Sequence, residues 1–138
     1  MTPNVLLERL KEFVEANTRD LILEVRVKKG ETGPKERAAE VYTMRLPDKD
    51  AETKQIPYIL LQFIKGSDDQ KEGERPESEC AVRFVFATYS EDGGKGAMDV
   101  LNLITRIRVA LIKAGVIGEQ FSLKRKIEYI VYPDSTPP

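Results

Sequence analysis

The stretch "CAVRFVFATYSEDGGKGAMDVLNLITRIRVALIKAG", residues 80–115, changes its hydrophobic period halfway. Val82, Phe84 and Phe86 alternate with Arg83 and Val85, which is the period of two of a β-strand. After the glycines, Ala97, Val100, Leu101, Ile104, Ile107, Leu111 and Ala114 recur at spacings of three and four, the stripe of a helix over 96–114. Gly115 stands where a left-handed C-cap is expected, with Lys113 in the last turn. Strand, glycine-rich loop and helix is also the layout of a phosphate-binding loop, so this stretch decides between a nucleotide-binding fold and another kind.

The spacing rejects nucleotide. A P-loop needs G-x-x-x-x-G-K-[ST], so that backbone amides and the lysine hold the phosphates and a hydroxyl holds magnesium. Lys95 follows Gly94, but Gly96 and Ala97 stand at the hydroxyl positions and Tyr89 stands where the first glycine belongs. The dinucleotide pattern G-x-G-x-x-G fails at Asp99. Glu91 and Asp92 would repel phosphate, whereas carboxylates at a helix entrance favour the helix dipole. The glycines are read as a turn into a capped helix.

Upstream, Thr2-Pro3 is a helix start. Leu6, Leu7, Leu10, Phe13 and Val14 form one apolar stripe, and the mixed charges opposite it suit core packing better than a membrane surface. "LILEVRVKKG" (21–30) alternates as a half-buried strand, and "AEVYTMRLP" (39–47) reads as a second, stopped by Pro47. "YILLQFIK" (58–65) is apolar on both faces. Ile59, Leu61 and Phe63 share one side, and Tyr58, Leu60 and Ile64 share the other. Such a strand is central and covered twice, or its second face is covered by another subunit. Tyr58, Leu60 and Ile64 are therefore the candidate subunit-interface residues. "GSDDQKEGERPESE" (66–79) reads as an exposed loop, and "FSLKRKIEYIVYP" (121–133) as a final strand.

The order α-β-β-β-β-α-β, without regular alternation, gives an α+β fold. It implies a mainly antiparallel sheet of four to five strands with two helices packed on one face. The division is one domain over 1–132 and a flexible tail over 133–138.

Composition narrows the function classes. The 138 residues carry a net charge of −1, with 41% hydrophobic and 33% charged residues. That balance gives no global drive toward nucleic acid or an anionic membrane. The basic cluster "SLKRKIEY" reads as a solvated strand face. There is no histidine, which removes the commonest general base and metal ligand. The single cysteine, Cys80, can build neither an internal disulfide nor a zinc site, and a reducing cytoplasmic setting is the simplest reading. No catalytic residue, cofactor or metal ligand is expected, and the chain is read as not an enzyme.

Three segments carry a resemblance. "IPYILLQFIKG" (56–66), "VRFVFATYSEDGGKGAMDVLNLITRIRVALIKAGVI" (82–117) and "FSLKRKIEYIVYPDSTPP" (121–138) resemble small tail-terminator or tail-completion proteins from prophages of Gram-positive bacteria. These are similar in fold to the minor tail protein U of lambdoid phages. The shared pattern is an aromatic strand ending in Thr-Tyr-Ser-Glu-Asp, a glycine-rich turn and a helix carrying "DVLNLITRIR". It covers Ile56 onward, and the N-terminal half matches mainly in element order. The resemblance implies a virion structural protein with no cofactor and no reaction. It implies a homo-oligomeric ring, commonly a hexamer, that caps the tail tube and offers a surface to the head or neck connector. The implied partners are other copies of the chain, the tail tube protein and the connector. The implied locations are the virion tail and, during assembly, the host cytoplasm. It also implies a further extended, aromatic-containing segment after "YPDSTPP". The alternatives are a head-tail neck adaptor or another protein-interaction module and, from a different class, an enzyme using Glu91, Asp92 and Asp99.

The failed loop spacing makes a direct prediction. Titration with magnesium and ATP or GTP should leave the amide signals of residues 93–97 unmoved. Saturable shifts at micromolar nucleotide would overturn this reading of the loop.

Overall fold

A computed structural model describes residues 3–24, 36–46, 57–69, 72–73, 77–89, 93–118, 121–124 and 127–130. The fold is α+β. In chain order the elements are α1 (Pro3–Thr18), β1 (Ile22–Glu24), β2 (Glu36–Ala38), β3 (Glu40–Thr43), β4 (Tyr58–Asp69), β5 (Glu77–Ala87), α2 (Gly93–Ala114), β6 (Val116–Ile117) and β7 (Phe121–Ser122). Among the described residues the main sheet has three strands, not four to five, in the order β3-β4-β5, and β1-β2 and β6-β7 form separate two-stranded ribbons. β4 runs antiparallel to β5 but parallel to β3, with Glu40 opposite Tyr58. A parallel neighbour needs a long crossover, and residues 44–57 supply one.

One face of the sheet and both helices share the main core. Leu6, Leu7, Leu10 and Val14 of α1 meet Leu103, Ile107 and Leu111 of α2 over Val41, Ile59 and Leu61. Phe84 and Phe86 are half-buried against this cluster, their ring centroids 6.2 Å apart. Polar and close contacts tie the helical layer as well. Arg106 Nη1 donates to Asp20 Oδ1 at 2.9 Å and to the Asn17 carbonyl at 3.3 Å. Gly118, at a φ of 59°, lies so close to α1 that a Cβ there would sit 2.8 Å from Arg9 Cγ. Both facts demand glycine at that turn.

Several expected boundaries move, each for a local reason. α2 begins at Gly93, so Gly93, Gly94 and Gly96 form its first turn and are not a turn leading into it. Gly115 is the left-handed cap that the spacing predicts, with a φ of 70° and its N–H donating to the Leu111 carbonyl at 2.9 Å. The expected 39–47 strand is shortened to 40–43, and a separate short strand, 36–38, precedes it. Residues 36–38 pair with β1, and 40–43 pair with β4. β3 ends at Thr43, where Met44 turns left-handed with a φ of 68°, before Pro47 is reached. Val25 and Val27, expected to continue β1, lie outside the described residues, as do Thr2, Val131 and the tail 133–138.

The expected final strand is reduced to Phe121–Ser122, paired back onto Val116–Ile117 across the Gly118 turn, and residues 127–130 are not in a strand. Conversely, half of the expected 66–79 loop, residues 66–69 and 77–79, is strand. β4 continues to Asp69 and β5 starts at Glu77, with Ser67 opposite Glu79 and Asp68 opposite Ser78. This ribbon has no core beneath it and therefore no apolar alternation for sequence periodicity to detect.

The α2 stripe is rotated from its expected setting. Leu103, outside the expected stripe, is fully buried, whereas Leu101, inside it, is 39% exposed. Leu103→Ala should therefore cost about 2–5 kcal/mol, and Leu101→Ala within about 0.5 kcal/mol. Urea unfolding of the two variants measures the contrast, and equal losses would refute this orientation of the helix.

Candidate interaction surface

The residues read as an interface part company in the structure. Tyr58 and Leu60 are 9% and 8% exposed and form the chain's own second cluster. Tyr42 and Leu46 from the β3 side, with Val85, Ala87 and Tyr89 from the β5 side, pack against them. Ile64 is 50% exposed.

The reason for the split is a bulge. Along β4, Phe63 pairs with Val82 and Lys65 with Ala81, so Ile64 is the extra residue and the alternation that would align it with Tyr58 and Leu60 is broken. β3 has already ended here, so the edge of β4 is finished by other groups. The Phe63 N–H donates to Met44 Sδ at 3.4 Å, and the Met44 N–H to the Leu61 carbonyl at 2.7 Å. Arg83 Nη2 donates to Gln62 Oε1 at 2.7 Å, and Gln62 Nε2 to the Met44 carbonyl at 3.1 Å. This chain of contacts holds Met44 in its left-handed backbone conformation, and Met44 is exposed beside the bulge.

Beyond the bulge, β4 and β5 run on as a two-stranded arm. Along β4 it extends roughly 14 Å from Lys65 to Asp69, at about 3.4 Å per residue. Every described residue of β4 from Ile64 onward is exposed. Ser78 Oγ donates to Asp68 Oδ1 across the ribbon, and Lys124 Nζ pairs with Glu79 Oε1 at 2.7 Å near its base. Residues 65–79 carry six acids and three bases, a net −3.

α2 presents the opposite character. Met98, Leu101, Val109 and Ile112 are exposed, and so is Val116 just past the helix. Taken with Thr105, the positions 98, 101, 105, 109 and 112 step by 3, 4, 4 and 3. At about 100° per residue they fall within roughly 80° of arc, on the side away from Leu103, Ile107 and Leu111. The helix carries Lys95, Arg106, Arg108 and Lys113 against Asp99, a net +3. The Arg108 guanidinium lies 4.2 Å from the centroid of the Tyr129 ring, so the exposed Tyr129 and Ile130 are placed alongside α2.

The other candidates gather no chemistry. Glu91 and Asp92 lie outside the described residues, and Asp99 is half-buried on α2. Among the described residues no group of three or more Cys, Asp or Glu could hold a metal ion. No described helix is long and apolar enough to cross a membrane. Tyr42 donates its hydroxyl to Glu40. Burial, that hydrogen bond and the carboxylate's charge, opposed by Arg37, push its phenol up from 10.0 to about 12. Burial also pushes the Cys80 thiol up, which disfavours the reactive thiolate.

No family model matches the chain, and no solved structure matches it. Over 74 residues, 53% of this chain, it is 32% identical to formate–tetrahydrofolate ligase of Thermosipho africanus. The chain spans 13% of that protein's length.

The Tyr42 environment has a pH consequence. The phenol is neutral when protonated, and the folded state keeps that proton to about 12 against 10.0 for the free group. Its stabilisation is complete below pH 10 and is lost as the pH rises from there to about 12. In an ultraviolet titration, Tyr42→Phe should remove an ionisation phase near pH 12. Loss of no phase on substitution would refute the assignment.

Proposed function

We propose that the chain is a non-enzymatic structural subunit of the phage tail-terminator type, which assembles with its own copies into a ring and caps the tail tube. The observation that carries this reading is the arm. A subunit of this size gains little core from extending two strands past its last apolar pair. An exposed ribbon with an apolar base at Met44 and Ile64 is useful when another surface receives it. The resemblance of residues 56–138 to tail terminators, stated from sequence, names the assembly. The covered second face adds support, because a subunit that closes its own core over Tyr58 and Leu60 can fold before it assembles.

The reading takes the tail tube as one neighbour, the head or neck connector as another and further copies as lateral neighbours. It places the protein at the end of the virion tail, with no cofactor and no substrate. The partial likeness to the ligase covers 13% of that protein's length and decides neither for nor against an enzymatic reading.

Complementation of a terminator-deficient phage tests the proposal, with tail length and joined heads as the readouts. The wild-type chain should restore tails of normal length. Ile64→Lys should leave the monomer folded by circular dichroism and abolish rescue, because the charge stands on exposed surface. Leu60→Lys should instead unfold the subunit, because it places a charge inside the second cluster. Normal tails with Ile64→Lys would remove the arm base from the assembly contact. Failure of the wild-type chain to rescue any terminator-deficient tail phage would remove the tail-terminator reading.

A further inference from the structure

The exposed stripe of α2 and the exposed arm are complementary in two independent respects, and we propose that they bind each other between copies. The occupant of the α2 stripe is the β4–β5 arm of a second copy of this chain. The inference rests on the ring reading for its choice of a second copy and goes further by naming the two surfaces.

The first respect is apolar. From Met98 to Ile112 the stripe is about 21 Å long, at about 1.5 Å per residue. Val109 and Met98 are each 58% exposed. The base of the arm offers the exposed Ile64 at the bulge and the exposed Met44, which is held by the Phe63 to Met44 and Gln62 to Met44 hydrogen bonds. The second respect is charge. On the arm, Lys65, Asp68, Asp69 and Glu72 sum to −2 with Glu79 held by Lys124, and beside the α2 stripe stand the bases Arg108 and Lys113, while Arg106 is held by Asp20. Apolar residues meeting without opposite charges would not select this pairing over others.

Charge also rejects the two symmetric alternatives. Two α2 stripes packed on each other would bring Arg108 and Lys113, which flank the stripe, against their own copies, while Arg106 is held by Asp20 of its own chain. Two arms packed on each other would set the acidic ribbons together. Each is a like-charge juxtaposition, which costs specificity and affinity. Arm to helix is the pairing in which both signs are matched. It is heterologous, so every copy that gives an arm keeps a free stripe, and repetition closes a ring or runs on as a filament. A single contact of this size is weak, and closure strengthens it by making the last contacts intramolecular.

The test uses the full-length chain with a benzophenone amino acid in place of Ile64, mixed at millimolar concentration with isotopically heavy chain lacking it. Illumination followed by peptide mapping identifies intermolecular adducts. Adducts on residues 98–116 of the heavy chain are expected. Val109→Glu in the heavy chain should lower the yield about tenfold, as an unpaired charge in an apolar contact does. Lys113→Glu should lower it several-fold, and more at low salt than at high salt. Both substitutions fall on exposed positions, and circular dichroism checks their fold. Absence of adducts, adducts on another copy's arm, or yields unmoved by Val109→Glu would each overturn the contact, whatever the phage assay gives. Adducts on α2 together with failure to cap tails would keep the contact and remove the tail-terminator reading.

Discussion

Four consecutive residues, Tyr58 to Leu61, are covered on both faces, and the rest of the subunit is arranged around that constraint. Ile59 and Leu61 point into the helical layer and are fully buried, while Tyr58 and Leu60 point away and are almost as well covered. Complete burial of one such aliphatic side chain is worth about 1.5–3 kcal/mol, so this short run holds a large share of what a subunit this small can gain. The strand can be used twice because it is flanked on both edges. β3 pairs with it in parallel over Tyr58 to Leu61, and β5 pairs with it in antiparallel register. A flanked strand has its backbone polar groups satisfied, and only then can both faces be buried without a large penalty.

The same constraint explains where the core stops. β3 is four residues long, and past its end nothing flanks the outer edge of β4 among the described residues. The bulge, at Ile64, falls three residues beyond the last β3 pairing at Leu61. It rotates the ribbon, breaks the alternation at Ile64 and releases the arm into solvent. Met44 is the hinge of the change. Its left-handed backbone ends β3, its N–H caps the Leu61 carbonyl, and its sulfur takes the next free N–H of β4. A left-handed methionine costs about 1–2 kcal/mol, and the contacts converging on it hold it in place.

Legibility follows burial. α1 is readable in sequence because its buried residues, Leu6, Leu7, Leu10 and Val14, follow the helical period without interruption. The doubly covered strand is readable because a short run of Tyr, Ile, Leu and Phe without polar alternation matches a strand buried on both faces and little else. α2 is readable in type but not in rotation, because it carries apolar residues on two sides. Leu101 belongs to the exposed line and Leu103 to the core, and spacing alone cannot order two overlapping stripes. The arm is illegible because a ribbon exposed on both faces has the composition of a loop, and its pairing is set by the hairpin register and not by any period. The parallel β3-β4 pairing is illegible for a different reason, since strand direction leaves no trace in either strand's own sequence. For the candidate surface, Ile64 is reached through an alternation that the bulge removes. The outer α2 line, with its 3-4-4-3 spacing, is present in the sequence but merges there with the stripe that faces the core.

The two stripes of α2 also say what sort of helix this is. A helix needed only to cover a sheet can leave its outer face fully charged, as α1 does with Glu8, Glu12 and Glu15. α2 instead exposes Met98, Leu101, Val109 and Ile112 while burying Leu103, Ile104, Ile107 and Leu111 on the other side. Exposed branched aliphatics gain nothing for the isolated subunit and raise its risk of nonspecific association. The positive charge along the helix limits that risk, since it keeps one stripe from meeting another, and the acids of the arm have the sign that the helix attracts. The outer face of α2 and the ribbon beyond the bulge thus act, in the contact proposed above, as two halves of one device. Each is an unfavourable feature in a solitary chain, and each supplies what the other lacks.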